Sequence, residues 1–167
     1  MKDPKKGFTL IELLVVISII SLLSSIVLAS LTEVRKKARD TKRVAEVQQI
    51  QTQLELYYNE NGEYPIRGWS SSNDSVPWNT FGQTLGLELP VDPVNSGTSH
   101  ATNSGTYTYS YYANNGCRGQ WYMLVYRLET DSNPDNVGVA RCGTGAVYDY
   151  SGTRTVGSNV PEGFFSR

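Results

Sequence analysis

Histidine is nearly absent from these 167 residues: His100 stands alone in a Ser/Thr/Gly-rich stretch, with no second histidine or cysteine at ligand spacing. That removes the usual zinc sets and leaves a Ser-His-Asp arrangement without a candidate. No Gly-rich phosphate loop and no paired-carboxylate signature is present, so the reading is that the chain is not an enzyme. Cysteine is scarce too. Cys117 and Cys142 are the only two, and in an exported chain two cysteines suggest one disulfide. Such a bridge would close a loop of about 26 residues and stabilise by roughly 3.5 kcal/mol on the chain-entropy model. Lysine is missing after Lys42. Up to Arg43 there are nine basic and four acidic residues; beyond it there are six and twelve, giving +5 and −6 within a total of −1. Two stretches of such different charge meet different surroundings.

Charge, glycine and proline are all missing from Leu13 to Leu31, a run of 19 residues of which thirteen are Leu, Ile or Val. That is close to the ~20 residues a helix needs to cross about 30 Å of hydrocarbon. The thirteen contribute roughly 4–8 kcal/mol to insertion before the serines are subtracted. A short basic leader, with Lys2, Lys5 and Lys6, precedes the run, and Glu12 stands at its entrance. A secretory signal cut near Val27-Leu28-Ala29 is one reading, although the run exceeds the usual 7–15 residues. A plain membrane anchor is a second. Neither explains Glu12, because a carboxylate beside hydrocarbon is costly unless paired. A cut between Gly7 and Phe8 explains it. The freed amine of Phe8 would lie four residues before Glu12, one helical turn away on the same face, and it could equally reach Glu12 of a neighbouring chain.

The segment Gly7-Phe8-Thr9-Leu10-Ile11-Glu12-Leu13 resembles the prepilin motif of type IV pilins and type II secretion pseudopilins. The resemblance implies cleavage after Gly7 by a prepilin peptidase, methylation of the Phe8 amine, and a role for Glu12 in docking each subunit onto a filament. It implies further partners: other copies of the chain and related pilins, an inner-membrane platform protein and an assembly ATPase. The chain would wait in the inner membrane with its head exported, then join a cell-surface filament. The sequence departs from the family at one point. Where such pilins usually carry Pro midway along the apolar run, and often a Gly before it, this chain has Ala29 and Ser21, so local melting of the helix on assembly is not expected there.

Beyond Leu31 the helical pattern continues. Apolar residues at Val44, Val47, Ile50, Leu54, Tyr57 and Tyr58 mark one buried stripe,. One helix is predicted from about Phe8 to Asn59, roughly 77 Å long at 1.5 Å per residue. Asn61-Gly62 supplies the stop and Tyr64-Pro65 an extended continuation. Ser18, Ser21, Ser25, Ala29 and Thr32 form a small-residue stripe suited to close helix approach in lipid, unless the serines bond back to their own helix. The basic run Arg35–Arg43 reads as a solvated face pairing with acidic neighbours. Lipid headgroups or nucleic acid remain open as partners.

The organisation expected is therefore a leader over 1–7, an apolar helix half over 8–31, an amphipathic half over 32–59, a loop over 60–106, and an antiparallel sheet with the C-terminal region over 107–167. The 60–106 segment is rich in Ser, Gly, Asn, Thr and Pro, and reads as a long loop with a helical turn near Thr80–Leu85. Strands are predicted at Tyr107–Tyr111 and Trp121–Leu128, joined through Asn114-Asn115-Gly116, with weaker ones at Val137–Cys142 and Ala146–Tyr150. In the second strand, Tyr122, Leu124, Tyr126 and Leu128 alternate with Trp121, Met123 and Val125. The fold class is α+β: a long helix packed on a three- or four-stranded antiparallel sheet, as in type IV pilins. Eleven tyrosines suit either cover for a thin core or subunit contacts,.

Asp131-Ser132-Asn133-Pro134-Asp135-Asn136 opens like a calcium loop but has Asn136 at the glycine position and Cys142 at the glutamate position. An EF-hand is rejected. Asp131, Asn133 and Asp135 are left as a loose oxygen set, of interest because some pseudopilins hold calcium in C-terminal loops; otherwise no cofactor is expected. The functional expectation is a type IV pilus subunit. The alternatives are a type II secretion pseudopilin and, from another class, a membrane-tethered extracellular binding module.

Overall fold

The computed structural model describes residues 7–98, 100–114, 117–130, 138–140, 147–148, 150 and 152–158, apart from the side chains of 26–29. One helix, α1, runs Leu10–Asn61 over 52 residues. No proline interrupts it, and it passes through Ser21 and Ala29 as helix. Gly62 ends it with φ +75° and an amide that donates to Tyr58 O at 2.7 Å. A left-handed residue at this place closes a helix at low cost only when it is glycine. The chain divides into two units, Met1–Ala38 and Arg39–Arg167.

In the second unit, β1 (Arg67–Ser71), β2 (Ser110–Ala113), β3 (Met123–Tyr126) and β6 (Arg154–Gly157) form an antiparallel sheet in the order β1-β2-β3-β6. A separate pair joins β4 (Val139–Ala140) to β5 (Val147–Tyr148). Helix α2 (Ser75–Thr84) lies between β1 and β2 in the chain. The long helix plus small antiparallel sheet is the α+β arrangement of the type IV pilin class.

The period-2 alternation in β3 decides the layering. Tyr122, Leu124, Tyr126 and Leu128 pack with Val44, Val47, Ile50, Leu54 and Tyr58 of α1. Trp121, Met123 and Val125 face the other way and pack with Ala101, Cys117 and Val139, against Trp69, Tyr112, Tyr148 and Tyr150. Both faces of the sheet are thus covered, and every residue of β3 is buried. The tyrosines serve chiefly as core. Tyr109 donates its hydroxyl to Glu46 at 2.6 Å and Tyr111 donates to Pro65 O at 2.7 Å, so burial leaves neither polar tip unmet.

Several expectations need correction. The 60–106 segment is not one loop, since it contains β1 and α2. In β1, Arg67-Gly68-Trp69-Ser70-Ser71 has little β propensity, and its pairing with β2 shifts register between Arg67 and Ser70,. In α2, Pro77 falls in the first turn, where a missing amide costs nothing,. Gly82 is needed because a Cβ there would lie 2.6 Å from Leu87 O. Of Tyr107–Tyr111, only Ser110 and Tyr111 join the ladder, although the alternation of the tyrosines holds. Strand β6 was not expected. Its Gly157 reads as a strand breaker, yet a Cβ there would lie 2.1 Å from Tyr122 O, so only glycine allows that pairing.

The basic run is not a uniformly solvated face. Arg43 is 0% exposed. It donates to both Asp92 oxygens at 2.8 and 3.1 Å, to Asp40 at 2.7 Å and to Glu129 at 2.7 Å, and it lies over the Tyr107 ring at 5.1 Å. Arg39 holds both oxygens of Glu129 at 2.7 and 2.6 Å. Asp40 also accepts from the amides of Glu129 and Thr130 and from the Thr130 hydroxyl. Two arginines and three carboxylates therefore tie α1 to the Asp92 turn and to the chain beyond β3. The signal was present in the sequence: Arg43 lies four residues before Val47, on the same stripe as Ile50 and Leu54.

This network carries a pH dependence. Burial pushes the Asp40 carboxyl up, but the amides of Glu129 and Thr130, the Thr130 hydroxyl and Arg43 outweigh it and hold it below its ordinary value. The Arg39 guanidinium, helped by Arg43, holds Glu129 below its ordinary value against burial. Groups with depressed folded values add stability above their unfolded values, and that stability is lost as pH falls through the folded ones. The expected result is an unfolding midpoint that is steady at neutral pH and falls progressively below about pH 4.5. Thermal melts of the detergent-solubilised chain across that range check it, and a flat profile would count against the network.

Candidate assembly site

The first unit exposes its apolar half almost entirely. Phe8 is 81% exposed, and Leu10, Ile11, Leu13, Leu14, Ile17, Ile20 and Leu22 are all exposed. Helix α1 is long and apolar enough to cross a membrane, by length and composition. An apolar rod of this kind is stable only against lipid or other apolar surfaces.

At its start Thr9 caps the helix. The Glu12 carboxylate accepts from the Thr9 amide at 2.8 Å and from the Thr9 hydroxyl at 2.6 Å, and the Glu12 amide donates to Thr9 Oγ1 at 3.3 Å. This is a capping box, Thr-x-x-Glu. The sequence reading assigned Glu12 to the future Phe8 amine and overlooked Thr9, although the spacing Thr9-Leu10-Ile11-Glu12 is the signature itself. With Gly7 and Phe8 still joined, Thr9 supplies the donors that keep the carboxylate satisfied beside the apolar run. Gly7 and Phe8 precede the helix and are exposed.

The serine stripe turns inward. Ser18 donates to Leu14 O at 2.7 Å, Ser21 to Ile17 O at 2.7 Å and Ser25 to Leu22 O at 2.8 Å. Each hydroxyl is satisfied within its own helix, which lowers the cost of placing it in hydrocarbon.

The remaining candidates fall elsewhere. Cys117 is buried in the outer cluster of the head; Cys142 lies outside the described residues, as do Asp131, Asn133 and Asp135. Among the described residues no group of three His, Cys, Asp or Glu side chains is placed to hold a metal. His100 is an anchor rather than part of a free loop. Its ring stacks on Trp69 with centroids 4.6 Å apart, and Nδ1 lies 3.0 Å from Ser71 Oγ. Burial lowers its pKa.

Residues 2–28 match the family model of the prokaryotic N-terminal methylation motif. The chain is similar to type II secretion system core protein G of Dickeya chrysanthemi, 37% identical over 65 residues, which is 39% of this chain and 42% of that one. It is also similar to the type IV wide pilus major component PilA4 of Thermus thermophilus, 42% identical over 59 residues, covering 35% and 45% of the two chains. The type IV major fimbrial protein FimA of Dichelobacter nodosus is 33% identical over 75 residues, covering 44% and 48%. The chain thus spans less than half the length of these curated relatives. No solved structure matches it. The methylation motif over residues 2–28 and the likeness of the N-terminal helix to these relatives support a place for this chain among type IV pilins and type II secretion pseudopilins.

Proposed function

We propose that this chain is a structural subunit of a type IV pilus, stored in the inner membrane and polymerised into a surface filament. The observation that carries the reading is an exposed apolar half-helix with one carboxylate, Glu12, at its entrance. The mechanism is an exchange of surroundings. The apolar half leaves lipid for a core built from the same segment of neighbouring subunits, so it never meets water. Cleavage after Gly7 frees the Phe8 amine one turn from Glu12, and the carboxylate exchanges its Thr9 donors for a cation, its own or a neighbour's. A prepilin peptidase, a platform protein and an assembly ATPase are the partners this route needs. The pair Cys117 and Cys142, proposed as a disulfide, favours the pilus over the secretion pseudopilus. Six similar relatives that are type II core protein G favour the pseudopilus as the second reading.

Mass spectrometry of the chain isolated from its native cells tests the proposal. The expected mature protein begins at Phe8 and carries one extra methyl group. A chain beginning near Ser30 would be a secreted head, and one retaining Met1 would be a tethered binding module; either result overturns the filament reading. Recovery in filaments sheared from cells favours the pilus. Loss of protein secretion on deletion, without such filaments, favours the pseudopilus.

A further inference from the structure

At the end of β3 lies a cleft of about 280 Å³ that the assembly mechanism does not use; Ser104, Gly105, Tyr107, Arg127, Glu129 and Gly152 contribute to its walls. We propose that this cleft binds a small organic carboxylate, of about the size of a sugar acid, through the Arg127 guanidinium. The site lies wholly within the second unit and does not depend on the filament reading.

Charge carries the first part. A guanidinium is always charged and offers its N–H donors in a fixed fork. Arg127 directs them only at backbone carbonyls: Nη1 donates to Gly152 O at 2.7 Å, and Nη2 donates to Ala101 O at 3.4 Å and to Asn103 O at 3.3 Å. Its Nε is buried and has no hydrogen-bond partner. Among the described residues no carboxylate pairs with Arg127, whereas Arg39 and Arg43 are matched by Asp40, Asp92 and Glu129. A cation drawn partly out of water is normally paired, so this one lacks an anion. Glu129 is the acid in the wall, and it is already held by Arg39 and Arg43.

Size and hydroxyl groups carry the second. The cleft stands at the small end of ligand sites, with room for more than a carboxylate group alone. Tyr107 is half-buried and Ser104 exposed, and neither hydroxyl meets a partner among the described residues. Arg43 lies over the Tyr107 ring at 5.1 Å and holds the phenol in place. Gly152 has φ +69°, and a Cβ there would lie 2.6 Å from Arg127 Nη1, so glycine leaves the guanidinium its seat. One arginine, with most of its donors already directed at carbonyls, suits a single negative charge. Phosphate is ordinarily held by bidentate arginines or by a row of amides at a helix N-terminus. The two hydroxyls suit an oxygen-rich ligand body such as a sugar ring.

The test titrates the full chain in detergent with sodium glucuronate, followed by ligand-observed NMR, with glucose and inorganic phosphate run beside it. Glucuronate should bind at least about tenfold more tightly than glucose, the gain from one hydrogen bond to a charged group. Arg127→Gln should weaken glucuronate binding by about tenfold or more. Tyr107→Phe, which keeps the ring beneath Arg43, should weaken it by roughly three- to tenfold. Near-UV circular dichroism shows whether Arg127→Gln keeps the fold, and where it does not, Tyr107→Phe decides. No binding of glucuronate, equal binding of glucose, tighter binding of phosphate, or wild-type affinity in Tyr107→Phe overturns the carboxylate site. Self-association in sedimentation that Arg127→Gln abolishes and glucuronate leaves unchanged also overturns it, and assigns Arg127 to an acid of a second copy.

Discussion

Replacing Arg43 by Met should cost about 3–5 kcal/mol of stability, the range for removing one member of a buried ion pair. The variant strands Asp92 and Asp40 in a site closed to water, with Asp92 left to the amides of Val94 and Asn95. Glu129 would keep only Arg39. Arg43→Lys should fall between, because a point charge cannot reproduce a fork that touches three carboxylates. Arg39→Gln should cost far less than Arg43→Met, since its side chain is 35% exposed and its ion pair is screened by solvent,. Urea unfolding in detergent, followed by near-UV circular dichroism of Trp69, Trp78 and Trp121, measures all three. A loss below about 1 kcal/mol in Arg43→Met would show that the network does not hold the head to the helix.

Glu12→Ala and Glu12→Gln should both insert into the membrane normally and both fail to polymerise. If the carboxylate meets a cation in a dry filament core, the drop in filament yield should exceed about a hundredfold, from roughly 3–5 kcal/mol for stranding the partner charge. The glutamine variant separates two roles. Glutamine at this position still completes a capping box with Thr9 but carries no charge. Quantitative immunoblots of sheared filaments and of membranes give both readouts. Normal filaments from Glu12→Gln would show that capping, and not charge, is what assembly requires.

The helix was legible because its two surroundings wrote two patterns into it. An uninterrupted apolar run marks lipid, and a 3–4 spacing marks packing on a sheet; both survive any detail of the loops. The alternation in Trp121–Leu128 likewise revealed the two faces of β3 before their partners were known. What escaped was structure whose cause is non-local. Strand β1 exists because β2 offers it a ladder, and β6 because β3 does; β1 has little β propensity, and β6 is short and ends on Gly157, which reads as a breaker,. Arg43 was read as surface because arginine usually is, and its three acids come from positions 40, 92 and 129. Thr9 is harder to see for a different reason: the amine that cleavage would create is the obvious partner for Glu12, although the motif already holds a donor.

Strand β3 belongs to two cores at once, Leu124 and Tyr126 to the helix-side one and Met123 and Val125 to the outer one. Neither can melt while the other stays solid, because the same four peptide units are the wall between them. The head should therefore open as a single cooperative unit, without a half-folded intermediate that presents raw strand edges. On the filament reading proposed above, a subunit that waits in a membrane before assembly benefits from having only two states, closed or lost.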